Sequence, residues 1–162
     1  MLQLKRFVGL FTLVSLTSTF WQTQAYADTL ESHRLPIVLK TAERALRNQD
    51  PNRAMDLLKG RIDGMRHEVA RAQAHALMCK AHYQASDYVS AERSCDLAVT
   101  TGHPNWSHFN NRGVMRFMLK RYEEALNDFS RAASLALLPA TNSQSRKISK
   151  NVYAAQRRIA SK

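Results

Sequence analysis

Shifting the sequence against itself by 34 residues lays positions 72–105 over positions 106–139, and this internal period constrains the fold more than any other feature. Tyr83 falls on Phe117, Tyr88 on Tyr122, Ala91 on Ala125, Cys95 on Phe129 and Ala98 on Ala132. Small residues meet small ones, and bulky residues meet bulky ones. A period of this length marks a supersecondary unit that buries its apolar side only by stacking on copies of itself. Within the last unit Tyr122, Ala125, Leu126, Phe129, Ala132 and Ala133 recur at helical spacing, the single stripe of an amphipathic helix. Ser86-Asp87 supplies an N-cap for a helix running to about Thr100, and Gly102-His103-Pro104-Asn105 ends that helix and begins the next. Each unit is therefore expected to be a helical hairpin, with small side chains where its antiparallel helices cross.

Gly113, Tyr122, Ala125, Phe129 and Ala132, followed by Pro139, resemble the pattern of the tetratricopeptide repeat family: a small residue in the first helix, an aromatic before the second, and alanines at two close contacts. Cys79, Tyr88, Ala91, Cys95 and Ala98 match it in the preceding unit. The resemblance spans residues 36–139 and is most specific in the last two units. It implies an all-α, right-handed α-α superhelix of about three hairpins (36–64, 72–105 and 106–139) within a domain of residues 28–139. The first unit is degenerate. Its Ala54 lies 37 residues before Ala91, an excess that an insertion at Gly60 to Gly64 accommodates, and no aromatic precedes the alanine. Val38, Ala42, Ala45 and Leu46 would line its first helix, and Ala54, Leu57 and Leu58 its second, after the turn at Asp50-Pro51-Asn52. Beyond Pro139, Ile148, Val152, Ala155 and Ile159 recur at helical spacing, which predicts a capping helix within residues 140–162.

The start of the chain has the form of a secretory signal. Lys5 and Arg6 precede an apolar run from Phe7 to about Phe20, and Ala25-Tyr26-Ala27 offers a cleavage site, so residues 1–27 are expected to be removed on export to the periplasm. The run is short for a membrane span and is diluted by Thr12, Ser15 and Thr17. The net charge of +11 is unevenly spread: residues 139–162 hold Arg146, Lys147, Lys150, Arg157, Arg158 and Lys162 and no acid. Such a segment suits an anionic membrane surface, an acidic partner or another polyanion, or is a solvated helix face, and export argues against nucleic acid.

Catalytic signals are weak. His75, Cys79 and His82 lie on one helical face, but the 34-residue shift places them on Phe109, Gly113 and Arg116, positions that packing alone accounts for. His67-Glu68 lacks the second histidine of a zinc-protease motif, and no phosphate loop or nucleophile elbow is present. No enzyme activity, metal or cofactor is expected. Cys79 and Cys95 fall in the two helices of one hairpin, and export predicts a disulfide between them, the alternative being two buried thiols.

The resemblance further implies a concave groove lined by the first helix of each hairpin. In this sequence Lys80, Tyr83 and Gln84, then Asn110, Asn111, Val114, Phe117 and Met118, are the candidate partner-binding residues, with Gln73, Ala76 and Ser107 beside them. Amides there suit an extended backbone and apolar groups suit side-chain anchors. Of the residues with which some family members hold a peptide C-terminus, only Asn111 has a match, so that activity is not carried over. The expected function is a non-catalytic adaptor for a protein or peptide in the cell envelope. Binding of an anionic surface through Arg146, Lys147, Lys150, Arg157 and Arg158 is the alternative.

Overall fold

The computed structural model describes residues 36–136 and 143–161; the expected signal segment, Pro139 and Lys162 lie outside them. Among the described residues the elements are seven helices: α1 (Ile37–Arg47), α2 (Pro51–Leu58), α3 (Glu68–Gln84), α4 (Tyr88–Thr100), α5 (Trp106–Met118), α6 (Tyr122–Ala136) and α7 (Ser143–Ala160). They pair as hairpins α1/α2, α3/α4 and α5/α6, stacked in chain order. The helix α3 begins at Glu68, a turn before the expected unit boundary at residue 72. The inserted segment after α2 turns at Gly60, with a φ of 73°, and buries Ile62 in the core of the first hairpin.

All three hairpins close with the same turn. The amide of Asp50 donates to the Ala45 carbonyl (3.0 Å), that of Asp87 to His82 (2.9 Å) and that of Arg121 to Arg116 (2.8 Å). The residue just before each donor is left-handed: Gln49 at φ 58°, Ser86 at 62° and Lys120 at 62°. This is a Schellman ending built without the glycine that usually fills it. Asp50 and Asp87 then serve as N-caps, their carboxylates accepting from the amides of Arg53 and Ser90 at 3.0 Å each. Position for position, the turns repeat at the offsets of 37 and 34 residues that relate Ala54, Ala91 and Ala125.

Those three alanines are fully buried, and so are Ala98 and Ala132. Where the helices of each hairpin cross, one contact is solved in three ways. In the last hairpin it is Gly113 against Phe129, so close that a Cβ on Gly113 would lie 2.6 Å from the ring. At the equivalent place in the middle hairpin Cys79 and Cys95 form a disulfide, with Cα atoms 5.2 Å apart. In the first hairpin Ala42 and Leu58 fill the site, both buried. A bridge closing a loop of this length contributes on the order of 3 kcal/mol.

The last helix does more than cover an end. It packs on both α6 and α5, as α3 packs on α2 and α1, and so occupies the place of the first helix in a fourth hairpin. Lys147, Asn151 and Ala154 follow Asn110, Val114 and Phe117 by 37 residues each. Ile148 and Ala155 are buried, with Val152 packed beside them.

Because non-glycine residues hold the left-handed turn positions, Ser86→Gly and Lys120→Gly should each raise stability by up to about 1 kcal/mol, the relief of strain being partly offset by added freedom in the unfolded chain. Urea denaturation midpoints of the single variants measure this, and a lowered midpoint would contradict the strain assignment.

Candidate functional site

Since α3, α5 and α7 all hold the first-helix position, they lie side by side and enclose a cavity of about 340 Å³. Lys80 and Tyr83 contribute from α3, Asn110, Asn111 and Val114 from α5, and Lys147 and Asn151 from α7, while Cys79 and Met115 sit at its floor. A smaller hollow of about 90 Å³ follows, between Val114, Phe117 and Phe129 on one side and Asn151 and Ala154 on the other. A third, of about 420 Å³, is lined by Phe117, Ala154, Arg157, Arg158 and Ser161. Val114 and Asn151 belong to both the first and second, and Phe117 and Ala154 to both the second and third. The three hollows thus form one continuous seam between α5 and α7.

Most of the sequence-derived groove residues meet here, but with different duties. Lys80, Tyr83, Asn111 and Val114 line the first cavity, and Phe117 the other two. Tyr83 stacks at a tilt on Tyr88 and Phe117 edge-on to Tyr122, with centroids 6.0 and 5.2 Å apart, the same ring pair in successive repeats. Asn110 is 1% exposed, and its side-chain oxygen accepts from the Asn151 amide at 2.9 Å, so it ties α7 to α5 as it borders the cavity. Two residues expected to be free are not. Gln84 donates its amide to the Leu46 carbonyl at 3.0 Å, fastening the second hairpin to the first, and Ala76 is buried in the helix interface. Met118 is exposed at the end of α5.

The basic segment, read from sequence as a separate surface, contributes to the same seam. Lys147 faces the first cavity, and Arg157 and Arg158 face the third. Arg146 and Lys150 are exposed on α7. The sulfur of Cys79 is bonded to Cys95, so the His75, Cys79 and His82 face presents no thiolate to a metal.

On the opposite side of α5 the charges are paired. Arg112 forms a two-pronged bond to Asp128 (2.9 and 2.7 Å) and reaches Asp96 at 2.9 Å. Arg116 bonds Asp128 at 2.9 Å and Glu92 at 3.2 Å. Arg121 joins Glu92 to Glu124. Three helices, α4, α5 and α6, are tied together by this network. Hydrogen bonding to Asp128 raises the pKa of Arg112 above its ordinary range, against the lowering effect of burial. Sequence reading missed the network, although a signal was present: Asp128 sits inside the stripe of Ala125, Phe129 and Ala132, where an unpaired carboxylate would be costly.

Asp128 is 2% exposed and satisfies two guanidinium groups, so Asp128→Ala should lower stability by about 3 kcal/mol, the lower end for breaking a buried pair because both arginines keep some contact with water. Urea denaturation would show it, and a loss below about 1 kcal/mol, the size of an exposed pair, would demote the network to surface decoration.

His108 is buried with neither ring nitrogen in a complete hydrogen bond. Burial lowers its pKa, the Ala98 carbonyl opposing and Lys80 adding to the fall; burial likewise lowers that of His75. The folded state therefore favours neutral rings. This stabilisation is present above the ordinary histidine pKa of about 6.5 and is lost as pH falls through it toward the folded value. The urea midpoint should drop between about pH 7 and pH 5, with a shallower slope in His108→Leu; equal slopes in the two proteins would refute the assignment.

No protein-family model matches the chain, and no curated protein matches it. Solved structures do share its fold. The first TPR domain of the human RPAP3 protein, solved by NMR, is 19% identical with a TM-score of 0.67, covering 80% of this chain and 95% of that one. The first TPR of Spaghetti (RPAP3) bound to the HSP90 peptide SRMEEVD is 19% identical with a TM-score of 0.68, covering 80% of this chain and 98% of that one. The chain has the superhelical fold of the tetratricopeptide repeat domains, as the repeated residues implied.

Proposed function

We propose that the protein is a non-catalytic adaptor that holds an extended segment of a partner protein in the seam between α5 and α7. The observation that carries this reading is the continuity of three hollows along two parallel-stacked helices, alternating between amide or cationic groups and apolar ones. Asn111, Asn151 and Tyr83 offer donors and acceptors to a peptide backbone, and Phe117 offers a partly covered ring to an apolar side chain. A structure of the same fold was solved with a peptide bound, which supports a peptide as the class of ligand. An envelope setting, with export to the periplasm, is part of the proposal. The signal-like start of the chain supports it, and so does a disulfide inside a repeat, since such bonds persist in oxidising compartments.

A second reading has one specific observation in its favour. Tyr153 on α7 is 62% exposed with the Arg157 guanidinium 5.9 Å from its ring centre, and Arg146 and Lys150 stand exposed on the same helix. An amphipathic aromatic among cations suits the headgroup region of an anionic bilayer.

Capture of a partner from native envelope extract, followed by fluorescence titration of overlapping peptides from it, separates the two. Phe117→Ala should weaken the binding peptide at least about tenfold, as expected of an aromatic anchor, while its thermal melt shows that the stack is intact. Unchanged peptide affinity in that variant would refute the groove reading. Flotation with anionic vesicles that is lost on Arg146→Glu with Lys150→Glu, and kept in Phe117→Ala, would establish the membrane reading instead.

A further inference from the structure

We propose that the bound segment carries two acidic side chains four residues apart on one face of an extended strand, with an apolar side chain midway between them on the same face. The inference rests on the peptide-groove reading and specifies its ligand. It starts from the distribution of charge about α5. The carboxylates nearest that helix, Glu92, Asp96, Glu124 and Asp128, are all engaged with Arg112, Arg116 and Arg121 on the face away from the seam. No carboxylate among the described residues lines any of the three hollows. Among the described residues none lies within ion-pair distance of Lys80, Lys147, Arg157 or Arg158. The seam therefore presents two uncompensated cationic ends, and charge complementarity selects an acidic occupant.

The middle of the seam is apolar. Val114, Phe117 and Phe129 face Ala154 there, with Asn151 as the single polar neighbour among the described residues, around a hollow of about 90 Å³. An acidic group at this level would be desolvated with no cation to meet it, which assigns the position to an apolar residue.

The spacing comes from helix geometry. Lys147, Asn151, Ala154 and Arg158 recur at intervals of four, three and four residues, a single stripe along α7. The ends of the stripe are three turns apart, roughly 16 Å at the helical rise. Because alternate side chains of an extended chain face one way, the even spacing that comes near this distance is four residues, roughly 13 Å, and the long side chains of Lys147 and Arg158 cover the remainder. The amides of Asn111 and Asn151 along the path favour an extended strand, whose backbone needs partners, over a helix, whose backbone is already satisfied.

The test uses the full chain with its disulfide intact and a fluorescein-labelled octapeptide of serine and alanine carrying two glutamates four positions apart and a leucine midway. Anisotropy should report binding that weakens about fivefold when either glutamate becomes glutamine, the effect of losing one partly exposed ion pair. Moving the glutamates to adjacent positions should weaken it at least as much. Lys147→Glu should lose the octapeptide and regain affinity for a version with lysine in place of one glutamate, a reversal that misfolding does not produce. Equal binding of the glutamine and glutamate peptides, or of the two spacings, would overturn the proposal. If that tight neutral binding were still lost in Phe117→Ala, the groove reading would stand without the acidic pattern. If no peptide in the series bound in a way that Phe117→Ala weakened, both would fall, and binding only of phosphatidylglycerol vesicles would assign the cations to a membrane.

Discussion

The helix crossing inside each hairpin is the constraint on which the rest of the structure depends. Two antiparallel helices reach close approach only where their facing side chains are small, and Ala54, Ala91 and Ala125 meet that demand in turn. Beside each alanine a second contact sets how far the helices separate. Gly113 takes the edge of the Phe129 ring directly against its backbone, Ala42 receives Leu58, and Cys79 is bonded to Cys95. The covalent pair and the glycine-aromatic pair are alternative ways to hold the same spacing. A hairpin built on two cysteines lacks the large ring that would fill the interface, so the bond replaces packing that the side chains do not supply.

Fixed crossings also decide which way α5 presents its charges. One face meets α4 and α6, where Arg112 and Arg116 are saturated by Asp96, Glu92 and Asp128. The other looks into the seam with Asn111, Val114 and Phe117 and holds no charge of its own. Among the described residues, acids gathered on one side leave Lys80 of α3 and Lys147, Arg157 and Arg158 of α7 without an ion pair on the other. A net charge of +11 alone would not have produced this; the asymmetry arises because nearly all the carboxylates near the middle of the stack are bound to arginines away from the groove.

The period of 34 residues made the hairpins, the small crossing residues and the Cys79–Cys95 pair legible, because close packing leaves little freedom in residue size. Features set by backbone geometry or by long-range pairing were harder to read. The left-handed Gln49, Ser86 and Lys120 share no residue type, so the repeated turn had no glycine to announce it. Gln84 looks like a free groove amide until the first hairpin supplies the Leu46 carbonyl 38 residues away. The basic helix and the groove read as rival surfaces because sequence distance separates Lys80 from Lys147. Only the offset of 37 residues between Asn110 and Lys147, hidden by the polar stretch between the helices, brings them to one wall. Asp128 was visible in an apolar stripe, but its partners Arg112 and Arg116 lie on another helix and carry no mark of pairing.

The disulfide has a consequence for recognition beyond stability. Cys79 forms part of the cavity floor, one residue from Lys80 and one helical turn from Tyr83, so the bond that fixes α3 to α4 also fixes two of the groups that line the cavity. The Asn110–Asn151 bond does the same for α7 at the opposite wall. Both walls are thus held by bonds made within the protein itself. A groove ordered in advance gives up less conformational entropy on binding, and more of the interaction free energy remains as affinity. This matters for a short extended segment, which brings few contacts and must itself be ordered on arrival. Lys80 and Lys147 stand at one end of the seam and Arg157 and Arg158 at the other, while Phe117 and Ala154 line its apolar middle.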